Sequence, residues 1–286
     1  MIHSVETDGG VLEVRDGGPR SGTPVLLLHG FPQDSRCWNE VVPLLHDAGL
    51  RTLTPDQRGY APGAIPRDVS AYRLTALAAD AIAVMDSLGL DRAHVVGHDW
   101  GGAVAWRLGA AHPDRVASLT VLSTPHPRAL AGSMTRSLQP LRSWYTFAIQ
   151  VPVLPELVLS KTLVSVLRLS GLPLHLARQY AERLSSPSDF FGPLAWYRAV
   201  PWPLPWQLLG SGSGSGSPGG SRRVSVPTTY VWGSQDPALG RAAAEATAEQ
   251  VSGDYLFIEL DAGHWLPELH PEEVADAIVD RVRRGE

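Results

Sequence analysis

Val95-Val96-Gly97-His98-Asp99-Trp100-Gly101-Gly102 reads as a buried strand that runs into a sharp turn and then a helix, with Asp99 at the tip of the turn. Small residues at 97, 101 and 102 suit such a turn, because its backbone is strained and the helix must pack closely on the strand. A carboxylate at the tip sets the chemistry. Serine there needs a base before it attacks, whereas an aspartate with an ordinary pKa of about 4 is ionised at neutral pH and can displace a leaving group from saturated carbon. The product is an alkyl ester on Asp99, which must then be hydrolysed. Gly-x-Asp-x-Gly also occurs in inert turns, so the rest of the chain has to supply the partners of Asp99.

On either side of this stretch, short apolar runs alternate with helical patterns. Residues 2 to 16 read as a strand pair turned at Asp8-Gly9-Gly10. Val25-Leu26-Leu27-Leu28 is apolar at every position, as a central parallel strand is. Arg51 to Asp56 reads as the next strand, after a helix predicted over 38–48 that ends at Gly49. A helix over 72–88 stops at Gly89, and Val116 to Ser123 is another strand. Strands alternating with helices predict an α/β fold, a doubly wound, mostly parallel sheet with right-handed crossovers.

The rhythm fails after Thr124-Pro125-His126-Pro127. Helical patterns broken by prolines follow until Thr228-Thr229-Tyr230-Val231-Trp232, which reads as the seventh strand. Residues 126–209 are therefore expected to be a helical lid inserted into a core formed by 1–125 and 221–286. A Gly/Ser-rich tether, 210–220, native or engineered, would span roughly 18 Å as a coil. Tyr255 to Leu260 is the eighth strand, and a closing helix is expected from about Pro271 to Arg284.

Composition excludes several classes. Hydrophobic residues make up 44% and charged residues 19%, too apolar for general disorder. The net charge of -5 is spread without long runs of one sign, so no nucleic-acid footprint is present. The apolar stretch from Phe147 to Leu169 is interrupted by Pro152, Pro155, Glu156, Lys161 and Arg168, which rules it out as a membrane span. Cys37 is the one cysteine, so no internal disulfide forms, and with no secretory signal at the N-terminus a cytoplasmic location is expected. No cofactor or metal is expected; His94 and His98 are four apart, but on a strand-to-turn segment.

Hydrolysing an ester on Asp99 requires a general base for water, and imidazole is tuned to neutral pH. His264 follows the last strand, at the sheet edge where the turn also lies. His98 adjoins Asp99 but should point away across the turn, and His126 is a weaker candidate near the mouth. Asp236, in Gly233-Ser234-Gln235-Asp236-Pro237 after the seventh strand, is placed to orient the base; Asp261, three residues from His264, reads as a turn cap. The tetrahedral intermediate needs N–H donors, and the backbones of Phe31 and Trp100 are placed to give them.

His29-Gly30-Phe31-Pro32, Asp56-Gln57-Arg58-Gly59-Tyr60, Gly97-His98-Asp99-Trp100-Gly101-Gly102, Gly233-Ser234-Gln235-Asp236 and Gly263-His264-Trp265 together resemble the α/β-hydrolase-fold epoxide hydrolases, over essentially the whole chain. The order Asp99, Asp236, His264 is that fold's order of nucleophile, acid and histidine. Trp144 to Pro152 and Gly192 to Arg198 resemble the segments that carry the family's two lid tyrosines, which implies Tyr145 and Tyr197; Tyr180 is a third candidate. The chemistry asks for them independently, because opening an epoxide releases an alkoxide that phenol hydroxyls can hydrogen-bond or protonate. The resemblance implies a small epoxide and water as partners, with Phe31, Trp100, Tyr145, Trp196 and Tyr197 around the substrate. Ten of the 21 aromatic residues lie between Trp144 and Trp206, which favours an apolar or aromatic epoxide. The alternatives are a haloalkane or fluoroacetate dehalogenase with the same nucleophile, against which Phe31 argues because many haloalkane enzymes hold halide with a polar side chain there, and a non-catalytic ligand-binding relative.

Overall fold

A computed structural model describes residues 1–200 and 223–285. The expected tether, 210–220, and the proline-rich stretch 201–205 lie outside the described residues. The sheet has eight strands: β1 (Ile2–Thr7), β2 (Gly10–Gly17), β3 (Pro24–Leu28), β4 (Arg51–Pro55), β5 (Ala93–His98), β6 (Val116–Leu122), β7 (Thr228–Gly233) and β8 (Tyr255–Leu260). Their order is β1-β2-β4-β3-β5-β6-β7-β8, antiparallel from β1 to β4 and parallel from there to β8. The chain crosses from β4 over β3 to β5, so the strand order reverses at β3, and the crevice outside the carboxyl ends of β3 and β5 is where ligands bind in such sheets.

β5 and β7 are buried at every position, as parallel strands covered on both faces are, so that even their polar residues His94, His98, Thr228 and Thr229 lie inside. Val95 and Val96 are essentially inaccessible, and each stabilises the fold by about 2 kcal/mol through removal of its side chain from water. Helices α1 (Val41–Asp47), α2 (Leu74–Ser87) and α3 (Trp100–Ala111) connect the strands, α2 and α3 packing together against the sheet. The helix predicted over 38–48 is divided. Asp34 accepts the backbone N–H of Arg36 and starts a 3-10 turn over Ser35–Trp38, so α1 begins only at Val41.

Among the described residues, six helices stand between β6 and β7: α4 (Pro127–Ser133), α5 (Gln139–Arg142), α6 (Trp144–Ala148), α7 (Leu154–Leu169), α8 (Leu174–Arg183) and α9 (Phe191–Arg198). Pro127, Pro140 and Pro155 sit where a helix tolerates proline, in the first turns of α4, α5 and α7. Polar anchors hold this helical segment on the sheet. Arg183 at the end of α8 reaches Asp56 at 2.8 Å and Asp34 at 3.1 Å and donates to the Tyr60 carbonyl, while the Trp196 indole donates to the Arg58 carbonyl at 2.8 Å. After β7 come α10 (Arg241–Ala246), and after β8 come α11 (Leu266–Leu269) and α12 (Pro271–Gly285), which packs against β6, β7 and α1. Among the described residues, no helix is long and apolar enough to cross a membrane.

Candidate active site

β5 ends in a turn that Asp99 makes at φ 50°, ψ -122°, a conformation costly for a residue with a side chain. The glycines around it make it possible. A Cβ on Gly97 would collide with the backbone of Gly101, one on Gly101 with the carbonyls of Leu28 and His29, and one on Gly30 with the Asp99 side chain itself. Helix α3 starts at Trp100 directly behind the carboxylate, and its first N–H groups have no partner within the helix.

Asp99 Oδ1 accepts the Phe31 N–H at 2.8 Å, and Oδ2 lies 3.6 Å from His264 Nε2. The other ring nitrogen of His264, Nδ1, donates to Asp236 Oδ2 at 2.7 Å. Asp236 Oδ1 accepts the N–H groups of Ala238 and Leu239 at 2.8 and 2.9 Å, so both its oxygens are held and the buried carboxylate has one orientation. The structure thus brings Asp236, and not Asp261, to the histidine. Asp261 instead accepts the Gln235 side chain on the surface.

The charges reinforce one another. Burial opposes ionisation of Asp99, but His264, His98 and the Phe31 N–H outweigh it and keep the carboxyl below its ordinary range. Burial likewise opposes the His264 cation, yet Asp236 and Asp99 hold its pKa well above the usual imidazole value.

Above Asp99 stands an aromatic wall. The Tyr197 ring, on α9, meets Trp100 edge-on at 4.9 Å between centroids and Phe31 at 5.5 Å; Tyr145, on α6, lies 6.1 Å from Tyr197. Burial, and then the Asp99 charge, raise the pKa of both phenols, which keeps them protonated donors. Gln150 ties the two helices together by donating to the carbonyls of Thr146 and Tyr197. Trp196 stands behind this layer, edge-on to Trp100 and Tyr60 at 6.0 Å each.

Other expected candidates fall elsewhere. The Tyr180 hydroxyl donates to the half-buried Glu268 at 2.7 Å. His126 caps α4 by accepting the Arg128 N–H and packs on Trp106. His98 is fully buried, between Gln33 Oε1 at 2.8 Å and the His264 carbonyl at 2.9 Å, and burial takes its pKa to about 4. Sequence reasoning missed the residues that brace the site. The Ser123 hydroxyl donates to the His264 carbonyl, the Thr124 hydroxyl to the Asp99 carbonyl, and the Gly30 N–H to Gln33. Ser123-Thr124 directly follows a strand at the same sheet edge, the one signal that could have singled the pair out.

An eight-stranded sheet of this order with an aspartate on the turn after β5 defines an α/β hydrolase. A family model described as the alpha/beta hydrolase fold matches residues 23–271. Epoxide hydrolase A of Mycobacterium tuberculosis is 32% identical over 96% of this chain and 95% of its own. The AB hydrolase superfamily protein YfhM of Bacillus subtilis is also 32% identical, over 98% and 96%. The crystal structure of epoxide hydrolase A from Mycobacterium thermoresistibile superposes with a TM-score of 0.83 at 29% identity, covering 99% of this chain and 98% of that one. The chain belongs to the α/β-hydrolase fold family, in its epoxide hydrolase branch.

Proposed function

We propose that the protein opens an epoxide to a vicinal diol through an ester on Asp99, with α4–α9 acting as a cap that carries the acid groups. Asp99 Oδ2 attacks an epoxide carbon and the C–O bond breaks. The departing oxygen takes a proton from Tyr145 or Tyr197, which solvent restores. The remaining Asp99 oxygen stays on the Phe31 N–H, where that donor and the N–H of Trp100 can receive charge in the next step. His264 then takes a proton from water, the hydroxide adds to the ester carbonyl carbon, and the acyl–oxygen bond breaks to release the diol and regenerate the carboxylate. The 3.6 Å gap between Nε2 and Oδ2 exceeds a hydrogen bond and suits delivery of a hydroxide to that carbon.

Ester formation also prepares the base. In the free enzyme two carboxylates favour the His264 cation; alkylation neutralises one of them, which weakens the hold on that proton and favours its release to solvent at the stage where a base is needed. The observation that carries the proposal is that two phenols, Tyr197 buried and Tyr145 half-buried, stand near the Asp99 carboxylate, which His264 and then Asp236 back. Halide departure needs no proton, so those phenols favour epoxide opening over dehalogenation. The aromatic wall suits an apolar or aromatic epoxide. Purified protein incubated with styrene-type, aliphatic and polycyclic epoxides beside a haloalkane panel should yield diols; halide release without diol would overturn the assignment.

A further inference from the structure

We infer that Gln139 is a positioning residue that holds the phenol of Tyr145 in register with the Asp236–His264 pair. The inference rests on the proposed epoxide-opening reading.

Gln139 opens α5 and is buried to 1% exposure. Its amide uses every group it has. Nε2 donates to the Ala238 carbonyl at 2.7 Å and to the Ser143 hydroxyl at 2.8 Å, and Oε1 accepts the Gly240 N–H at 2.9 Å. A flipped amide would set donor against donor at Gly240 and acceptor against acceptor at Ala238, so one orientation survives. Two of the three bonds end on the loop after β7, the loop whose Ala238 and Leu239 N–H groups hold Asp236 Oδ1. The third ends on Ser143, the residue that precedes α6 and stands two positions before Tyr145.

One neutral side chain thus joins the element that bears a phenol to the loop that bears the acid. Gly240 permits the approach, since a Cβ there would sit 3.3 Å from Gln139 Oε1. A second, independent link comes from the same helix: Arg142 Nη1 donates to the Asp236 carbonyl at 2.6 Å. Arg142 touches only the acid's side of the junction; Gln139 touches both. A displacement of about 1 Å at a reacting group costs on the order of 100-fold in rate, so loss of the junction should be visible in the kinetics.

The test measures two rates in single turnovers, ester formation by quenching of tryptophan fluorescence and ester decay by intact mass, on an epoxide the wild-type enzyme turns over. Gln139→Glu keeps the acceptor for Gly240 but loses both donated bonds, and should slow both steps, each by roughly 10- to 100-fold. In a Tyr145→Phe background it should slow ester formation little further, because the hydroxyl it places is gone, while ester decay stays slowed. Arg142→Met removes the bond to the Asp236 carbonyl while leaving all three bonds of Gln139, and should slow ester decay alone. Rates within twofold of wild type for Gln139→Glu, or independent multiplication of its effect with that of Tyr145→Phe on ester formation, would overturn the inference. His264→Gln serves as the reference: if it accumulates ester while Gln139→Glu behaves as wild type, only this inference fails, and if it accumulates none, the reading beneath it fails too.

Discussion

Removing the phenol hydroxyls of Tyr145 and Tyr197 while leaving their rings in place separates acid assistance from packing. Both rings belong to the wall over Asp99, and each phenylalanine would keep the edge-on contacts that Tyr197 makes with Trp100 and Phe31 and that Tyr145 makes with Tyr197. The fold should therefore survive the substitutions. A hydrogen bond to a group that becomes charged contributes about 1.5–3 kcal/mol, so each single variant should slow ring opening by roughly 10- to 150-fold. An epoxide oxygen left with neither donor must leave as a bare alkoxide in a site sheltered from water, so the double variant should lose more than about a thousandfold. Because burial and Asp99 raise both phenols, neither should ionise near neutrality, and ring opening should not fall as a phenol of ordinary pKa would make it fall in mild alkali. Stopped-flow quenching of tryptophan fluorescence reads the step, since Trp100 adjoins Asp99. A double variant that opened its best epoxide within threefold of the wild-type rate would show that the tyrosines are structural and would reopen the dehalogenase reading.

His264→Gln should still be alkylated on Asp99 but be unable to activate water, so intact mass should increase by one substrate; a good epoxide that leaves no adduct counts against the covalent route. Asp56 tests the anchoring of α8. Burial opposes its ionisation, but His29 and Arg183 outweigh this and take its pKa from 3.8 to about 2. The interaction therefore contributes about 2 kcal/mol above pH 3.8, and the contribution fades as pH falls through about 2. Asp56→Asn should lower the urea midpoint near neutrality and converge on wild type in acid; a difference that persisted unchanged at low pH would remove the charge interaction as its cause.

What the sequence discloses is what is written in short contiguous stretches. The strands are apolar runs, the turn at Asp99 needs small neighbours at 97 and 101, and Asp236 and His264 each follow a strand directly. Tyr145 and Tyr197 stand out through resemblance, because an aromatic residue in a helix carries no local mark of standing over a carboxylate. What stayed hidden depends on meetings between distant elements. Gln33, Ser123 and Thr124 brace the site through contacts that leave no period in the chain. Tyr180 and Glu268 are 88 residues apart, and nothing near Tyr180 announces the carboxylate that claims its hydroxyl. The 3-10 turn over 35–38 starts from one side-chain cap, that of Asp34, and takes Trp38 from the start of the helix expected over 38–48.

The central claim is that Asp99 attacks carbon, and the origin of the diol's new oxygen tests it. A single turnover with enzyme in excess, run in water labelled with heavy oxygen, distinguishes two routes to the same product. If Asp99 forms the ester and water attacks the carbonyl carbon, the first diol carries the unlabelled carboxylate oxygen and the label enters the peptide that contains Asp99. If His264 instead activates water to attack the epoxide directly, the label appears in the diol at once and Asp99 stays unlabelled. The geometry of Asp99, Phe31 and His264 predicts the first result, and the second would contradict it.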